Sequence, residues 1–317
     1  MQKGLERAGT VVSIAECLDQ AEHFEAIRTA RALAIAGLPK RRYRERDLSR
    51  TLRVGAQLWL RVTYSAQEDH ELPFGEDRFV LAGIQHLALE QNSPTVLFDR
   101  VGTLLKTFGL SEDGRTIARL RQRFKRLAGL TVRLAFGRNV EALQESATVE
   151  QIFVIRQYSL PSRKDLRTEQ AGQLTIPGAH PYGVVLSRDF WAHLSDSRNR
   201  LLVPLELLKL FIDRPTGWDY LCFLAARCGA ARTTSKVPHE ALMSLFRDTE
   251  RQDDRSIIRG LQRYHSEILR ATGGRLNAEL VEDGVLPSSG GRPKKRWALI
   301  VRPSQSLFER AQTLIER

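Results

Sequence analysis

Two successive series of predicted helices and strands follow the same order, and this repetition limits the fold more than any single motif. Apolar residues recur with helical spacing or alternate as in strands. The first series of helices and strand-like segments lies at about 76–90, 100–108, 111–128, 130–136 and 152–158. The second series lies at about 217–228, 239–246, 255–271, 276–281 and 297–301. Helices followed by a two-stranded hairpin are typical of a winged helix.

The predicted fold class is therefore α+β, mostly helical, with two tandem winged-helix domains and an N-terminal helical segment. Ala-rich amphipathic spacing predicts helix over 5–38, ended by Gly37 and Pro39. A basic connector over 40–53 would follow. The predicted domains are the N-terminal segment 1–40, the first winged helix 41–160, a linker 161–181 rich in Pro, Gly, Ser and Thr, the second winged helix 182–303 and a tail 304–317.

Basic residues are concentrated in two short windows. The 317-residue chain has a net charge of +12. Residues 114–138 hold eight Lys and Arg without an acid, and residues 287–302 hold five more, again without an acid. The rest of the chain therefore sums to minus one. Clustered Lys and Arg favour binding to the phosphates of nucleic acids, although a basic window can also be a solvated helix face.

The first window contains a helix whose basic and apolar residues separate. At about 100° per residue, Ile117, Leu120, Phe124 and Leu127 lie opposite the basic side. Arg and Gln side chains can bind base edges in the major groove. Arg121 and Lys125 flank this side, where they would contact phosphates. The predicted DNA contacts here are Arg115, Thr116, Arg119, Gln122, Arg123, Arg126 and Arg133.

The helix from Arg255 shows the same separation, with Asp253 and Asp254 interpreted as N-terminal caps. Its predicted DNA contacts are Arg255, Ser256, Arg259, Gln262, Arg263 and Arg270. Residues 291–295, Gly-Arg-Pro-Lys-Lys, match the AT-hook pattern that enters a narrow minor groove, and an unstructured solubilising loop is the alternative. The predicted contacts of this wing are Arg292, Lys294, Lys295 and Arg296.

Motifs of covalent chemistry are missing from the sequence. There is no P-loop, no Gly-x-Ser-x-Gly and no His-apolar-His pair, and the seven His are scattered. Cys222 and Cys228 are interpreted as separate buried thiols, and three Cys exclude a disulfide framework. No apolar stretch reaches about 18 residues. We therefore expect a cytoplasmic protein that is not an enzyme, with no metal, no cofactor and no membrane contact.

Several passages resemble RepA-type plasmid replication initiators over residues 79–301. They are 104–110, 116–131, 203–210 and 215–226. The resemblance implies tandem winged helices that bind origin repeats called iterons and open an A+T-rich segment. It also implies recruitment of the host initiator and replicative helicase, and a dimer that is inactive or autorepressing. Residues before Lys40 do not match.

The sequence therefore predicts a sequence-specific initiator that binds double-stranded DNA and acts in plasmid replication and copy control. A winged-helix transcriptional repressor without replication activity is the alternative, since the two classes share a DNA-binding fold. An enzyme that nicks or recombines DNA is a more distant alternative. Direct repeats beside an A+T-rich stretch, next to the gene, would favour the initiator.

Overall fold

A computed structural model describes residues 26–53, 58–98, 105–106, 111, 113–145, 148–160, 182–247, 252–286 and 294–304. The described strands are β1 (Ala26–Ala30), β2 (Asp47–Arg53), β3 (Trp59–Ala66), β4 (Thr95–Phe98), β5 (Leu130–Gly137), β6 (Thr148–Phe153), β7 (Ile155–Ser159), β8 (Tyr182–Leu186), β9 (Arg200–Pro204), β10 (Ser235–Val237), β11 (Ala278–Leu286) and β12 (Lys294–Val301).

From residue 76 onward, the described helices confirm the long predicted ones to within a turn at each end. They are α1 (Arg31–Ala36), α2 (Asp77–Glu90), α3 (Gly114–Ala128), α4 (Ala142–Glu145), α5 (Arg188–Ser195), α6 (Leu205–Lys209), α7 (Pro215–Ala230), α8 (His239–Phe246) and α9 (Asp254–Ala271), with a 3-10 turn at Ser197–Asn199. Of the helix predicted over 100–108, only Leu105 and Lys106 lie within the described residues, and both are helical.

Two parts of the chain have the same topology. The first unit consists of α2, β4, α3, β7 and β8, and its sheet has the strand order β4-β8-β7. The second unit consists of α7, β10, α8, α9, β11 and β12, and its sheet has the order β10-β12-β11. All four strand pairs are antiparallel. In both units the strand that comes last in the chain, β8 or β12, lies in the middle of its three-stranded sheet.

The predicted hairpin of the first unit is confirmed only in part, since 130–136 pairs with 152–153 but residues 155–159 pair with another strand. The segment expected as one strand over 152–158 breaks at Val154 into β6 and β7. Strand β5 joins β6 in a separate antiparallel sheet with the order β2-β3-β5-β6, whereas β7 pairs with β8. Alternation along a strand shows which face is buried but not which strand is its neighbour.

The predicted linker over 161–181 lies outside the described residues. It connects β7 to β8, which pair with each other from Ile155↔Leu186 to Ser159↔Gly183. Strand β4 in turn pairs with β8. Strand pairing therefore crosses the position at which the sequence predicts a division between domains.

The N-terminal prediction needs two corrections. Residues 26–30 form strand β1, which pairs with β9, instead of a helix. Tertiary pairing outweighs the helix propensity of this Ala-rich stretch, because Ile27 and Ala30 are fully buried there. Helix α1 is short and ends at Gly37 as predicted. Residues 47–53, expected as a connector, form β2, while residues 1–25 and 305–317 lie outside the described part.

A buried ion pair joins the two units. Arg78 of α2 donates from Nε to Asp219 Oδ1 at 2.9 Å and from Nη2 to Oδ2 at 3.1 Å, so that it holds α7. The two side chains are only 5% and 7% exposed. Gly37, with φ of +67°, lies against this carboxylate, and a Cβ there would be 2.6 Å from Asp219 Cγ. The buried apolar residues of both units form one continuous core.

The four-stranded sheet is also attached to the second unit. Arg50 of β2 is 2% exposed and donates from Nη1 to Leu245 O at 2.5 Å and to Arg247 O at 3.2 Å. These carbonyls lie at the end of α8. The arginine satisfies carbonyl groups that the last turn of the helix cannot pair internally. Both units and this sheet are therefore held in a defined relative position.

Candidate nucleic-acid interface

Helix α3 begins with a side-chain cap at Asp113. Its Oδ1 accepts from Arg115 N at 2.9 Å and from Thr116 N at 2.8 Å. The hydroxyls of Thr116 and Ser111 donate to Oδ2. These hydrogen bonds, the backbone N–H of Thr116 first, lower the pKa of Asp113 from 3.8 to about 2. The Thr116 hydroxyl is therefore engaged within the protein.

The two faces of α3 are separated as predicted. The apolar residues Ile117, Leu120, Phe124 and Leu127 are buried. The exposed face is polar and strongly basic. Its members are Arg115, Arg119, Arg121, Gln122 and Lys125. Since α3 contains no acidic residue, this face has no ion pair within its own helix.

Two arginines predicted to contact DNA from α3 are turned toward the protein instead. Arg123 is 7% exposed, pairs with Glu76, and lies 4.7 Å from the ring centroid of Phe79. Burial lowers the pKa of Arg123, whereas the negative charges of Glu76 and Asp77 act to raise it, Glu76 more strongly. Arg126 binds Asp77 in a bidentate pair, with Nε–Oδ2 at 2.6 Å and Nη2–Oδ1 at 2.7 Å. These arginines hold α3 against the start of α2.

On α9, the predicted arginines and serine stay exposed. The helix is buried along Ile257, Ile258, Leu261, Tyr264, His265 and Ile268. Gln262 is half-buried, and Arg263 lies over the ring of Tyr264 at 4.6 Å. The exposed predicted residues are Arg255, Ser256, Arg259, Arg263 and Arg270.

The acidic residues of α9 do not neutralise its exposed basic face: they bind other cations or lie at the N-terminus of the helix. Glu267 accepts hydrogen bonds from Nη1 and Nη2 of Arg214, each at 2.8 Å. Asp253 is the N-cap residue but makes no side-chain cap hydrogen bond. Asp254 pairs with Arg247 and lies 3.4 Å from His239 Nε2. The exposed row from Arg255 to Arg270 therefore keeps its positive charge.

The predicted wing is only partly described. Residues 287–293, with Arg292 and the AT-hook-like run, lie outside the described residues, and of Lys294 only the backbone is described. Lys295 Nζ pairs with Glu282 Oε2 at 2.7 Å, and Arg296 Nη2 pairs with Glu240 Oε1 at 2.5 Å. Ion pairs near the surface contribute little to stability, so phosphates can compete with these carboxylates for the two cations. Arg133 is exposed on β5, on the face of the four-stranded sheet.

The other candidate groups are buried. Cys222 and Cys228 are both free and buried, as predicted, and burial raises the pKa of Cys228 to about 11. His265 Nδ1 lies 2.9 Å from Tyr220 Oη, and burial lowers the pKa of this histidine. Within the described ranges, no group of three or more His, Cys, Asp and Glu could hold a metal ion. In the same part of the chain, no helix is both long and apolar enough to cross a membrane.

Comparison with known proteins gives a structural neighbour. No protein family model and no curated protein sequence matches the chain. The crystal structure of a selenomethionine derivative of domains 2 and 3 of RctB is similar, with a TM-score of 0.51 and 15% identity over 84% of this chain and 96% of that chain. A second structure, of RctB residues 155–483, gives a TM-score of 0.49 and 14% identity over 85% and 97%. At 15% identity, this similarity shows that the chain shares the fold of domains 2 and 3 of RctB.

Proposed function

We propose that this protein is a replication initiator that binds double-stranded DNA through α3 and α9. The observation that carries the proposal is the pair of exposed basic helix faces. Together they present Arg115, Arg119, Arg121, Lys125, Arg255, Arg259, Arg263 and Arg270. Arginine on such faces can bind guanine in the major groove or neutralise phosphates. The fold shared with domains 2 and 3 of RctB, a replication initiator, supports the same function.

We further propose that each unit is a winged helix. The second unit has the order helix, strand, helix, helix, strand, strand, with α9 as its recognition helix and β11–β12 as the edge of its wing. The first unit has the same sheet order, with α3 as the corresponding helix and β7–β8 as the wing strands.

A fixed relation between the units favours recognition of repeated sites. The Arg78–Asp219 pair and the continuous core hold α3 and α9 in one arrangement. Two recognition helices on one rigid chain can contact successive major grooves about one helical turn apart. We therefore propose origin repeats as the DNA partner. The RepA resemblance extends the proposal to opening of an A+T-rich segment, recruitment of the host initiator and helicase, regulatory dimers and plasmid copy control.

The salt dependence of DNA binding tests the proposal. Eight exposed basic residues on the two helices predict a slope of log K against log salt of about −7, since each neutralised phosphate contributes about 0.9. The measurement is fluorescence anisotropy with duplex DNA taken from the region beside the gene. A slope near zero on that DNA, or equal affinity for unrelated DNA, would contradict sequence-specific binding.

A replication assay separates an initiator from a repressor. A plasmid without its own origin receives the gene and the neighbouring repeats, and transformants are counted in a suitable host. An initiator maintains this plasmid, and Arg259→Ala abolishes maintenance because DNA binding is weakened. If the repeats are bound but the plasmid is never maintained, the protein is a repressor instead.

A further inference from the structure

The outward face of the four-stranded sheet forms a polar groove. It encloses about 450 Å³. Its lining side chains carry hydroxyl, amide and guanidinium groups, and the described lining includes no large apolar residue. They are Asp47, Ser49, Arg61, Thr63, Ser65, Ala66, Gln67, Thr131, Arg133 and Gln151. Hydroxyls, amides and arginines are the groups that bind phosphate oxygens, whereas a docked protein segment would need apolar contact.

Strand register brings two arginines together across this face. Thr63 of β3 lies opposite Arg133 of β5, and Arg133 lies opposite Gln151 of β6. Arg61 lies opposite Ala135, so that it is the diagonal neighbour of Arg133. Diagonal neighbours on one sheet face are about 7–8 Å apart. The two guanidinium groups can therefore contact neighbouring phosphates of a single strand.

The charge of this groove is not neutralised by the described residues. Among them, neither Arg61 nor Arg133 has a carboxylate partner, and Arg61 Nε donates to Thr51 Oγ1 at 3.4 Å. The one carboxylate in the described lining is Asp47, on the edge strand β2. Two arginines against one edge carboxylate leave a positive groove, which favours an anionic occupant.

The groove also lies beside the C-terminal end of α3. Helix α3 ends at Ala128, and the next residues lead directly into β5 with Thr131 and Arg133. Gln67 of the groove donates from its backbone N to Gly129 O at 2.9 Å, at the end of this helix. Lys125 is exposed in the last turn of α3. The groove therefore begins next to the last turn of α3, which carries the exposed Lys125.

From this position beside α3 and from its two arginines, we propose that the groove holds the phosphate backbone of a DNA strand that extends beyond the α3 contact. The inference rests on the proposed function and deepens it, since it adds a contact that is independent of base sequence. The strand belongs either to the flanking duplex or to DNA that has been separated into single strands. Both have the same phosphate chemistry, and the experiment distinguishes them.

The test compares three double variants with the wild-type protein on mixed-sequence DNA. The first is Arg61→Ala with Arg133→Ala, and the second is Arg61→Lys with Arg133→Lys, which keeps the charge. The third, Arg188→Ala with Arg232→Ala, removes two exposed arginines that lie neither in the groove nor on the basic faces of α3 and α9. Anisotropy is measured against salt with a duplex of about four helical turns and with one of its strands alone.

Two lost phosphate contacts reduce the steepness of the salt slope by about 1.8 on duplex DNA and by about 1.4 on a single strand. We expect the groove alanine variant to show such a loss on at least one of the two DNAs, the groove lysine variant to keep most of the slope, and the Arg188 and Arg232 variant to match the wild type. Each loss is divided by the value per contact, about 0.9 or about 0.7, and more lost contacts on the single strand identify separated DNA as the occupant, whereas more on the duplex identify flanking duplex.

The two proposals can fail separately. If the wild type binds with a steep slope but the groove variant behaves like the Arg188 and Arg232 pair, the groove proposal is overturned and the proposed function stands. If the wild type itself shows no salt-dependent binding to either DNA, the proposed function fails as well. Equal urea midpoints of all variants show that the comparison is made between folded proteins.

Discussion

Helices α3 and α9 carry the same pattern of basic and apolar residues, but the structure uses their arginines differently. On α3, Arg123 and Arg126 bind Glu76 and Asp77 at the start of α2. On α9, the row from Arg255 to Arg270 stays exposed, and the neighbouring acids bind other cations. A basic helix can thus be attached to its own domain by some arginines and still present others to DNA.

Removal of Asp77 gives the largest expected effect on this comparison. Its side chain is 1% exposed and pairs with Arg126. Asp77→Ala leaves cations partly buried without their partner, and we expect a loss of about 3–5 kcal/mol in the free energy of unfolding. Urea denaturation measures it. Arg255→Ala on α9 is the control, with an expected change within about 0.5 kcal/mol. Equal stability of the two variants would contradict the structural role of Asp77.

Removal of one exposed arginine from each helix gives the next largest expected effect, which is on DNA binding. Arg119→Ala and Arg259→Ala should each weaken specific DNA binding by about 1–3 kcal/mol and relax the preference at one base position. Both side chains are exposed, so the urea midpoint should not change. Binding to a set of singly substituted sites gives the measurement. If only the α9 variant loses affinity, α3 does not bind DNA in a groove.

A third prediction compares salt dependence between an inward and an outward arginine. Arg270→Ala should reduce the steepness of the salt slope by about 1, because an exposed cation that contacts a phosphate is lost. Arg126→Ala should leave the salt slope of the folded protein unchanged, because the guanidinium of Arg126 binds Asp77 and therefore does not contact a phosphate. Anisotropy titrations at several salt concentrations distinguish them, and a reduced slope for Arg126→Ala would mean that this arginine reaches DNA.

The smallest expected effect concerns the helix caps. The folded protein lowers the pKa of Asp113 from 3.8 to about 2. Because the folded pKa lies below the unfolded one, the stabilisation is complete above about pH 4 and is lost as the pH falls toward 2. The urea midpoints of Asp113→Ala and wild type should therefore differ at pH 6 and converge near pH 2. Asp253→Ala on α9, where the cap bond is missing, should show no such convergence.

Helix bounds and buried helix faces could be predicted because they depend on neighbours within a few residues. The apolar rows Ile117–Leu127 and Ile257–Ile268 are examples, and both are buried. The inward turn of Arg126 could not be predicted in this way. Its partner Asp77 lies 49 residues away in sequence, and no local pattern connects the two.

The sequence by itself determined the two basic helices, the buried thiols and the end of α1 at Gly37, since spacing and local backbone conformation decide these features. Only the tertiary structure decided which strands pair. It placed β1 beside β9, β7 beside β8 and Arg133 on the exposed face of the four-stranded sheet. The physical reason is that strand pairing and buried ion pairs join distant residues, whose contribution appears only when the whole chain has packed.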